Sequence, residues 1–252
     1  MNRILLEVCV DDPDGLEAAV AGGADRVELC SALCAGGLTP SPGLMSAAGM
    51  PPVPVYAMIR PRAGDFVYDA ADLEVMRRDL EVMRRDIDAA RAAGLAGVVL
   101  GASRADGRLD ARMLTKLAGH AAGMGLTLHR AFDLVPDFAE ALEIAVELGF
   151  ERILTSGGAK TAPEAVEILE KLIAAASGRI SIMPGSGITS NTAGTLLPRL
   201  AIAEVHSSCS TSEPANDMRL VEMGFAAPER RRTDAAKIRA MRACLDALAA
   251  KA

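Results

Sequence analysis

Two Glu-x-Cys tripeptides stand near the start of the chain, Glu7-Val8-Cys9 and Glu28-Leu29-Cys30. Each closes a short apolar run, Ile4 to Cys9 and Arg26 to Cys30, that reads as a buried strand. Alternate residues of a strand share a face, so Glu and Cys point the same way in each run. Two consecutive parallel strands then set two carboxylates and two thiols side by side. A carboxylate inside a core is costly unless it is paired, which marks the spot as a candidate site. Adjacent strands lie ~4.8 Å apart, so the Cys9 and Cys30 sulfurs could converge on one ion. Two thiolates at low coordination number suit Cu(I). The plainer alternative is two buried cysteines acting as small hydrophobes.

Other strand ends carry the same kind of chemistry. The inward phase of each strand predicts Glu7 and Cys9, Arg26, Glu28 and Cys30, Met58, Arg60 and Arg62, Thr127 and His129, Ser181 and Met183, then Glu204, His206 and Ser208. Candidate catalytic groups are Glu7, Glu28, Arg60, His129, Arg130, Asp133, Glu204 and His206. One account is structural: Glu7, Glu28 and Glu204 would be neutralised by Arg60 and the histidines. Buried ion pairs are a poor route to stability, however, and these groups gather where barrel sites lie, so a functional pocket is the favoured reading. His120 falls in a helix and is expected at the surface. The run Met183-Pro184-Gly185-Ser186-Gly187-Ile188, followed by a helix start at Thr189-Ser190, suits an anion. The anion-binding candidates are Arg60, Arg62, Gly185, Ser186 and Gly187. No lysine ends a strand, which disfavours Schiff-base chemistry and leaves proton transfer by His129 or a carboxylate.

These groups need a scaffold that brings strand ends together. Strand signals fall at Ile4–Cys9, Arg26–Cys30, Val53–Arg60, Gly97–Gly101, Leu126–Arg130, Arg152–Ser156, Arg179–Met183 and Ala203–Ser207. Ala-rich amphipathic stretches separate them, and a last one, Asp234–Ala250, closes the chain. Eight strand–helix alternations predict an α/β fold, a closed (β/α)8 TIM-type barrel forming a single domain over residues 1–252. An open doubly wound sheet would want a Gly-x-Gly-x-x-Gly turn after the first strand, and Val10-Asp11-Asp12-Pro13-Asp14 is not one. Residues 208–232 read as an irregular loop at the mouth and 233–252 as a C-terminal helix. The heptapeptide LEVMRRD occurs twice in tandem, at Leu73–Asp79 and Leu80–Asp86. Leu73, Met76, Leu80, Met83 and Ile87 keep one apolar stripe across both copies. The repeat reads as a tolerated extension of a surface helix, with an oligomer contact as the alternative.

Composition narrows the classes. Half the residues are apolar and aromatics are 3% with no Trp, which leaves little for base stacking. A net charge of −6 argues against nucleic acid. No apolar run approaches a membrane span, and the first residues lead directly into a strand without a signal-peptide pattern. The five cysteines are an odd number with no Cys-x-x-Cys, so reduced thiols in the cytoplasm are expected.

Several of these segments together resemble the CutC family, long named copper homeostasis proteins. They are Ala24-Asp25-Arg26-Val27-Glu28-Leu29-Cys30, Gly36-Gly37-Leu38-Thr39-Pro40-Ser41, Met58-Ile59-Arg60-Pro61-Arg62, His129-Arg130-Ala131-Phe132-Asp133, Leu154-Thr155-Ser156-Gly157 and Glu204-Val205-His206-Ser207. The resemblance implies a cytoplasmic TIM-type barrel, usually a homo-oligomer, with Cu(I) bound at Cys9 and Cys30. Ala35 stands where the family usually has Glu and Ala63 where it usually has Gly, and the tail after Ser212 matches poorly. The alternative to copper handling is a barrel enzyme acting on a small anionic or phosphorylated metabolite by acid–base chemistry at the charged mouth.

Overall fold

The computed structural model describes residues 3–49, 52–68 and 73–250. Eight parallel strands form one sheet: β1 (Leu5–Val10), β2 (Arg26–Leu29), β3 (Val55–Met58), β4 (Gly97–Leu100), β5 (Gly125–Leu128), β6 (Arg152–Thr155), β7 (Ser181–Pro184) and β8 (Glu204–Ser207). Their order is β7-β6-β5-β4-β3-β2-β1-β8, so β1 pairs with both β2 and β8 and the sheet curls into a barrel. β7 and β8 lie side by side at the closing seam without a hydrogen-bonded ladder.

The expected strands and helices are present, with ends shifted by a few residues. The helices are α1 (Pro13–Gly22), α2 (Pro42–Ala47), α3 (Leu73–Ala92), α4 (Ala111–His120), α5 (Phe138–Glu147), α6 (Val166–Ala176) and α7 (Ser190–Leu196), then α8 (Met218–Glu222) and α9 (Ala235–Ala249). Local chemistry sets their starts. Asp12, Ser41, Asp110, Asp137, Thr189 and Asp234 each accept a backbone N–H in the first turn of the helix that follows. Leu, Ile, Val and Ala from the outward strand phase and the inner helix faces fill the space between sheet and helices, among them Leu6, Val8, Val27, Val98, Ile153 and Val205. In α3 the second heptapeptide buries Leu80 and Met83, and Ile87 follows on the same stripe. The side chains of Leu73 and Met76, from the first copy, lie outside the described residues.

Residues 208–232 are not an irregular loop. β9 (Ser210–Pro214) and β10 (Glu229–Thr233) pair antiparallel into a ribbon, with α8 at its tip. This ribbon has no buried face, so the period-2 apolar pattern that reveals the barrel strands is missing from Ser210-Thr211-Ser212-Glu213 and from Arg230-Arg231-Arg232. No helix among the described residues is long and apolar enough to cross a membrane.

Candidate functional site

Charged side chains occupy the barrel axis in two tiers. The lower tier joins Glu7, Arg26, Glu204 and Arg152, all at most 9% exposed. Arg26 bridges two carboxylates, donating from Nε to Glu7 and from Nη2 to Glu204 at 2.5 Å. Arg152 reaches Glu204 at 3.2 Å, the Thr127 hydroxyl at 2.9 Å and Glu151 at 2.9 Å. The Tyr56 ring packs against both guanidinium groups, at 5.5 Å from Arg26 and 4.9 Å from Arg152, while its hydroxyl donates to Glu151. Gly97 and Gly125 make room for that ring; a Cβ at Gly125 would stand 2.1 Å from the Tyr56 hydroxyl.

The structural account of these charges gives the neutralising role to Arg60 and the histidines. Arg26 and Arg152 fill it instead, with His206 as a further partner of Glu7. Arg60 stands past the end of β3, closer to the loops than to the lower carboxylates. Its guanidinium donates to the carbonyls of Ala35, Gly37 and Gly64 and stacks on Phe66. Arg26 was readable, since it shares the inward phase of Glu28. Arg152 and Tyr56 left no signal beyond their places at the start of β6 and in β3.

The upper tier borders the mouth. Register places Cys9 opposite Glu28 on the neighbouring strand. His206 Nδ1 pairs with Glu7 Oε1 at 2.8 Å, and its Nε2 lies 3.9 Å from Glu28 Oε2. Among the described residues Cys9, Glu28 and His206 form the one close donor group, their ligand atoms within 4.8 Å of one another. This group could hold a metal ion, and Glu7 behind His206 supplies the carboxylate that orients a ligating imidazole. Cys30 is outside the group. It is fully buried and its thiol contacts Glu28 Oε2 at 3.6 Å.

Burial and charge divide the protonation states. Burial alone would raise the Glu7 carboxyl, but Arg26 and His206 overcome it and hold it down to about 2. Burial works against the His206 cation, yet Cys9, Glu28 and Glu7 prevail and lift it well above its ordinary value. Burial pushes the Glu28 carboxyl up, and the Cys30 thiol further up. At His129, burial and then the Arg60 cation depress the imidazole to about 3, so it is neutral at pH 7. Its Nδ1 accepts from the Ala131 N–H at 3.1 Å, leaving the proton on Nε2, which has no hydrogen-bond partner. Gly101 makes space for this ring; a Cβ there would lie 2.5 Å from His129 Cε1.

A cavity of about 960 Å³ opens above the upper tier, lined by Cys9, Glu28, Arg60, His129 and His206 below and by residues 186–191 and 207–210 at the rim. Of the expected catalytic groups, Glu7 and Glu204 lie beneath it in the ion-pair tier. Asp133 is saturated, accepting from Arg130, Thr155, Ser156 and Gly158, which makes it an anchor for the loops after β5 and β6. Arg130 lines the cavity with its charge paired to Asp133 at 2.6 Å. Of the expected anion-binding residues, Ser186 and Gly187 line the cavity beside Arg60. Gly185 sits against Leu154 and His206, and Arg62 turns outward to Asp65 and the Val67 carbonyl. His120 pairs with Asp88 at the surface end of α4.

The CutC family model matches residues 4–211. The chain belongs to the CutC family. A CutC family protein of Sinorhizobium medicae (strain WSM419) is 97% identical over 252 residues, all of both chains. The crystal structure titled as the putative copper homeostasis protein CutC from Streptococcus agalactiae superposes with a TM-score of 0.75 at 30% identity, covering 81% of this chain and 98% of that one. Phosphoribosyl anthranilate isomerase from Thermotoga maritima superposes with a TM-score of 0.57 at 13% identity, covering 97% of this chain and 99% of that one, a likeness of fold alone. In this CutC chain the matched region holds both tiers of the axis, while β10 and α9 fall beyond it.

Proposed function

We propose that this CutC-family barrel is an enzyme that moves a proton on a small anionic metabolite bound in its mouth. Two buried groups facing the cavity carry the reading: Glu28 Oε1 and His129 Nε2 both lack a hydrogen-bond partner. An unmet acceptor and an unmet donor lining one cavity are the outfit for abstracting a proton next to a carbonyl. The Glu28 carboxylate takes the C–H proton, the electron pair moves toward the carbonyl oxygen, and neutral His129 donates a hydrogen bond to that oxygen. Protonated Glu28 then returns a proton to the same carbon as the carbonyl re-forms, so no oxidant or reductant is needed. Arg60 adds positive potential; its bonds run to carbonyls, and no carboxylate lies within ion-pair distance among the described residues. Barrel enzymes on phosphorylated substrates, among them the isomerase above, share the architecture.

The test uses the full chain in deuterated water with a panel of small phosphate esters and hydroxy or keto acids. Wild type is expected to be thermally stabilised by a subset and to exchange one carbon-bound proton of it, read by NMR. Glu28→Gln should retain binding and lose exchange. Absence of any stabilising anion, or unchanged exchange in Glu28→Gln, would overturn the proposal.

A second reading rests on the Cys9, Glu28 and His206 group, namely a bound metal ion, with copper as the metal the family name suggests. Cys9 and His206 suit Cu(I) or Zn(II), while Glu28 adds a harder oxygen. Burial keeps Cys30 a thiol, which works against a Cys9–Cys30 dithiolate. Bound there, a metal would polarise a substrate oxygen. We further place the protein in the cytoplasm, in keeping with five unpaired cysteines, and infer self-association through the exposed apolar residues Met218, Leu220, Met223 and Phe225, which size-exclusion chromatography of a Phe225→Ser variant would test.

A further inference from the structure

The mouth is completed by four lining residues beyond the family match, Ser212, Arg231, Lys237 and Met241. We infer that β9, β10 and the first turn of α9 form a binding site for the phosphoryl head of a small phosphate monoester, held by Lys237, Arg231, Ser208 and Ser210 at the unladdered seam between β7 and β8. The inference rests on the enzyme reading above and names the substrate class of that same cavity.

Alternation within the ribbon supplies the first argument. In β10, Arg231 faces the cavity, whereas Arg232 on the other phase turns to Asp14 at 3.9 Å. Arg231 is paired in register with Ser212, which lines the cavity from β9 as Ser210 does. The mouth-facing side of the ribbon therefore carries the Arg231 cation among hydroxyls, with Glu229 on the same phase accepting from Ser212. The Arg230-Arg231-Arg232 cluster, which reads in sequence as a solvated loop, is split by the strand between two surfaces.

Charge supplies the second. The lower tier balances itself, Glu7 and Glu204 against Arg26 and Arg152. The rim does not. Among the described residues neither Arg231 nor Lys237 has a carboxylate within ion-pair distance, and Lys237 Nζ makes one bond, to the Ser210 carbonyl at 2.7 Å. An ammonium has three protons to give, so two are left for a ligand. The nearest acid, Asp234, is spent on local structure: it accepts the Thr211 hydroxyl and the Ala236 and Lys237 N–H groups, locking the ribbon to α9. Ser212 likewise gives its hydroxyl to Glu229. Ser208 and Ser210 hydroxyls lie 3.0 Å apart, and once one donates to the other the second proton remains available.

Shape supplies the third. About 960 Å³ is room for an organic molecule, not a bare ion. The polar groups lie at two ends, Glu28 and His129 on the floor and the ribbon cations at the rim. A ligand with a reactive carbonyl or hydroxyl end and an anionic head would meet both. Donors arranged around a volume, from an ammonium, a guanidinium and hydroxyls, match a tetrahedral group with several acceptor oxygens better than a planar carboxylate, which favours one forked partner. The seam strengthens the match, since Ser207 Oγ holds the Ile188 carbonyl at 2.7 Å and so fixes the 186–191 loop against the end of β8.

The experiment is isothermal titration of the full chain with glycerol 3-phosphate, inorganic phosphate and malonate. Arg231→Gln, Lys237→Gln and the double variant are compared with Arg230→Gln, a matched charge change next to Arg231 in the basic cluster. Melting temperatures confirm that each variant is folded. Glycerol 3-phosphate is expected to bind wild type, with inorganic phosphate weaker. Each mouth-facing variant should lose about tenfold in affinity, the worth of one charge-assisted hydrogen bond, and Arg230→Gln under about twofold. Equal losses in Arg230→Gln and Arg231→Gln, or unchanged affinity in the double variant, would overturn the site and leave the enzyme reading standing. Binding of malonate without either phosphate compound would overturn the phosphoryl assignment alone. Failure of all three probes, together with the failure of every anion in the wider panel, would remove both.

Discussion

Glu7 holds His206 through a 2.8 Å contact to Nδ1, so the imidazole presents Nε2 to Glu28 and Cys9. The same carboxylate takes the Arg26 guanidinium on its other oxygen. One residue at the base of the barrel thereby sets the charge balance below and the ring orientation above. Glu7→Ala is expected to cost about 3–5 kcal/mol in urea denaturation, since it leaves buried Arg26 with Glu204 alone and takes the carboxylate partner from His206. Glu7→Gln should cost less and leave the fold intact.

The Glu7 carboxyl also sets an acid limit. Its value is about 2 in the folded chain against 4.5 for the free group, so its contribution is complete above pH 4.5 and is lost as pH falls toward 2. Denaturation midpoints measured across that window should fall more steeply for wild type than for Glu7→Gln.

His129 acts at milder pH. Folded, it titrates near 3 rather than 6.5, so the unfolded chain binds the extra proton between those values. Stability is therefore complete above pH 6.5 and declines on acidification, by up to roughly 1.4 kcal/mol per pH unit from this one group. The difference between wild type and His129→Asn, followed from pH 7 to pH 4, isolates the effect. A pH-independent difference would show that the imidazole is not held neutral by its surroundings.

Gly101 is a spacer for the His129 ring, whose Cε1 would stand 2.5 Å from an added Cβ. Gly101→Ala is expected to destabilise the barrel by about 1–3 kcal/mol, as overpacking does, and to abolish proton exchange on any substrate of the wild type. Exchange at the wild-type rate would remove His129 from the reaction.

Metal titration under reducing conditions separates two donor sets. If an ion binds among Cys9, Glu28 and His206, then Cys9→Ser or His206→Gln should weaken it by about 10–100-fold, and Cys30→Ser should change it little. Equal losses for Cys9→Ser and Cys30→Ser would favour the two-cysteine site that strand adjacency first suggests.

The barrel strands were legible because each is an apolar run broken by Gly, Pro or Asp, and the inward residues followed from the period of two. Glu28, His129 and His206 therefore came out of the sequence together. Their partners did not. Arg26 on β2 reaches Glu204 on β8, and Arg152 on β6 reaches the same carboxylate, contacts that exist only once the sheet has curled. Asp133 read as a reactive group because its type is right, while its saturation by four residues depends on loop geometry that no spacing encodes. The β9–β10 ribbon leaves no trace in the sequence because a strand pair without a buried face writes no apolar rhythm.

Tyr56, wedged over Gly97 and Gly125 beneath the paired arginines, closes the barrel from below. Among the described residues the cavity opens at the mouth, where residues 186–191 and 207–210 form its rim. On the proposed proton-transfer reading, a spent molecule must leave before a fresh one can enter, and product competes with substrate for the same space.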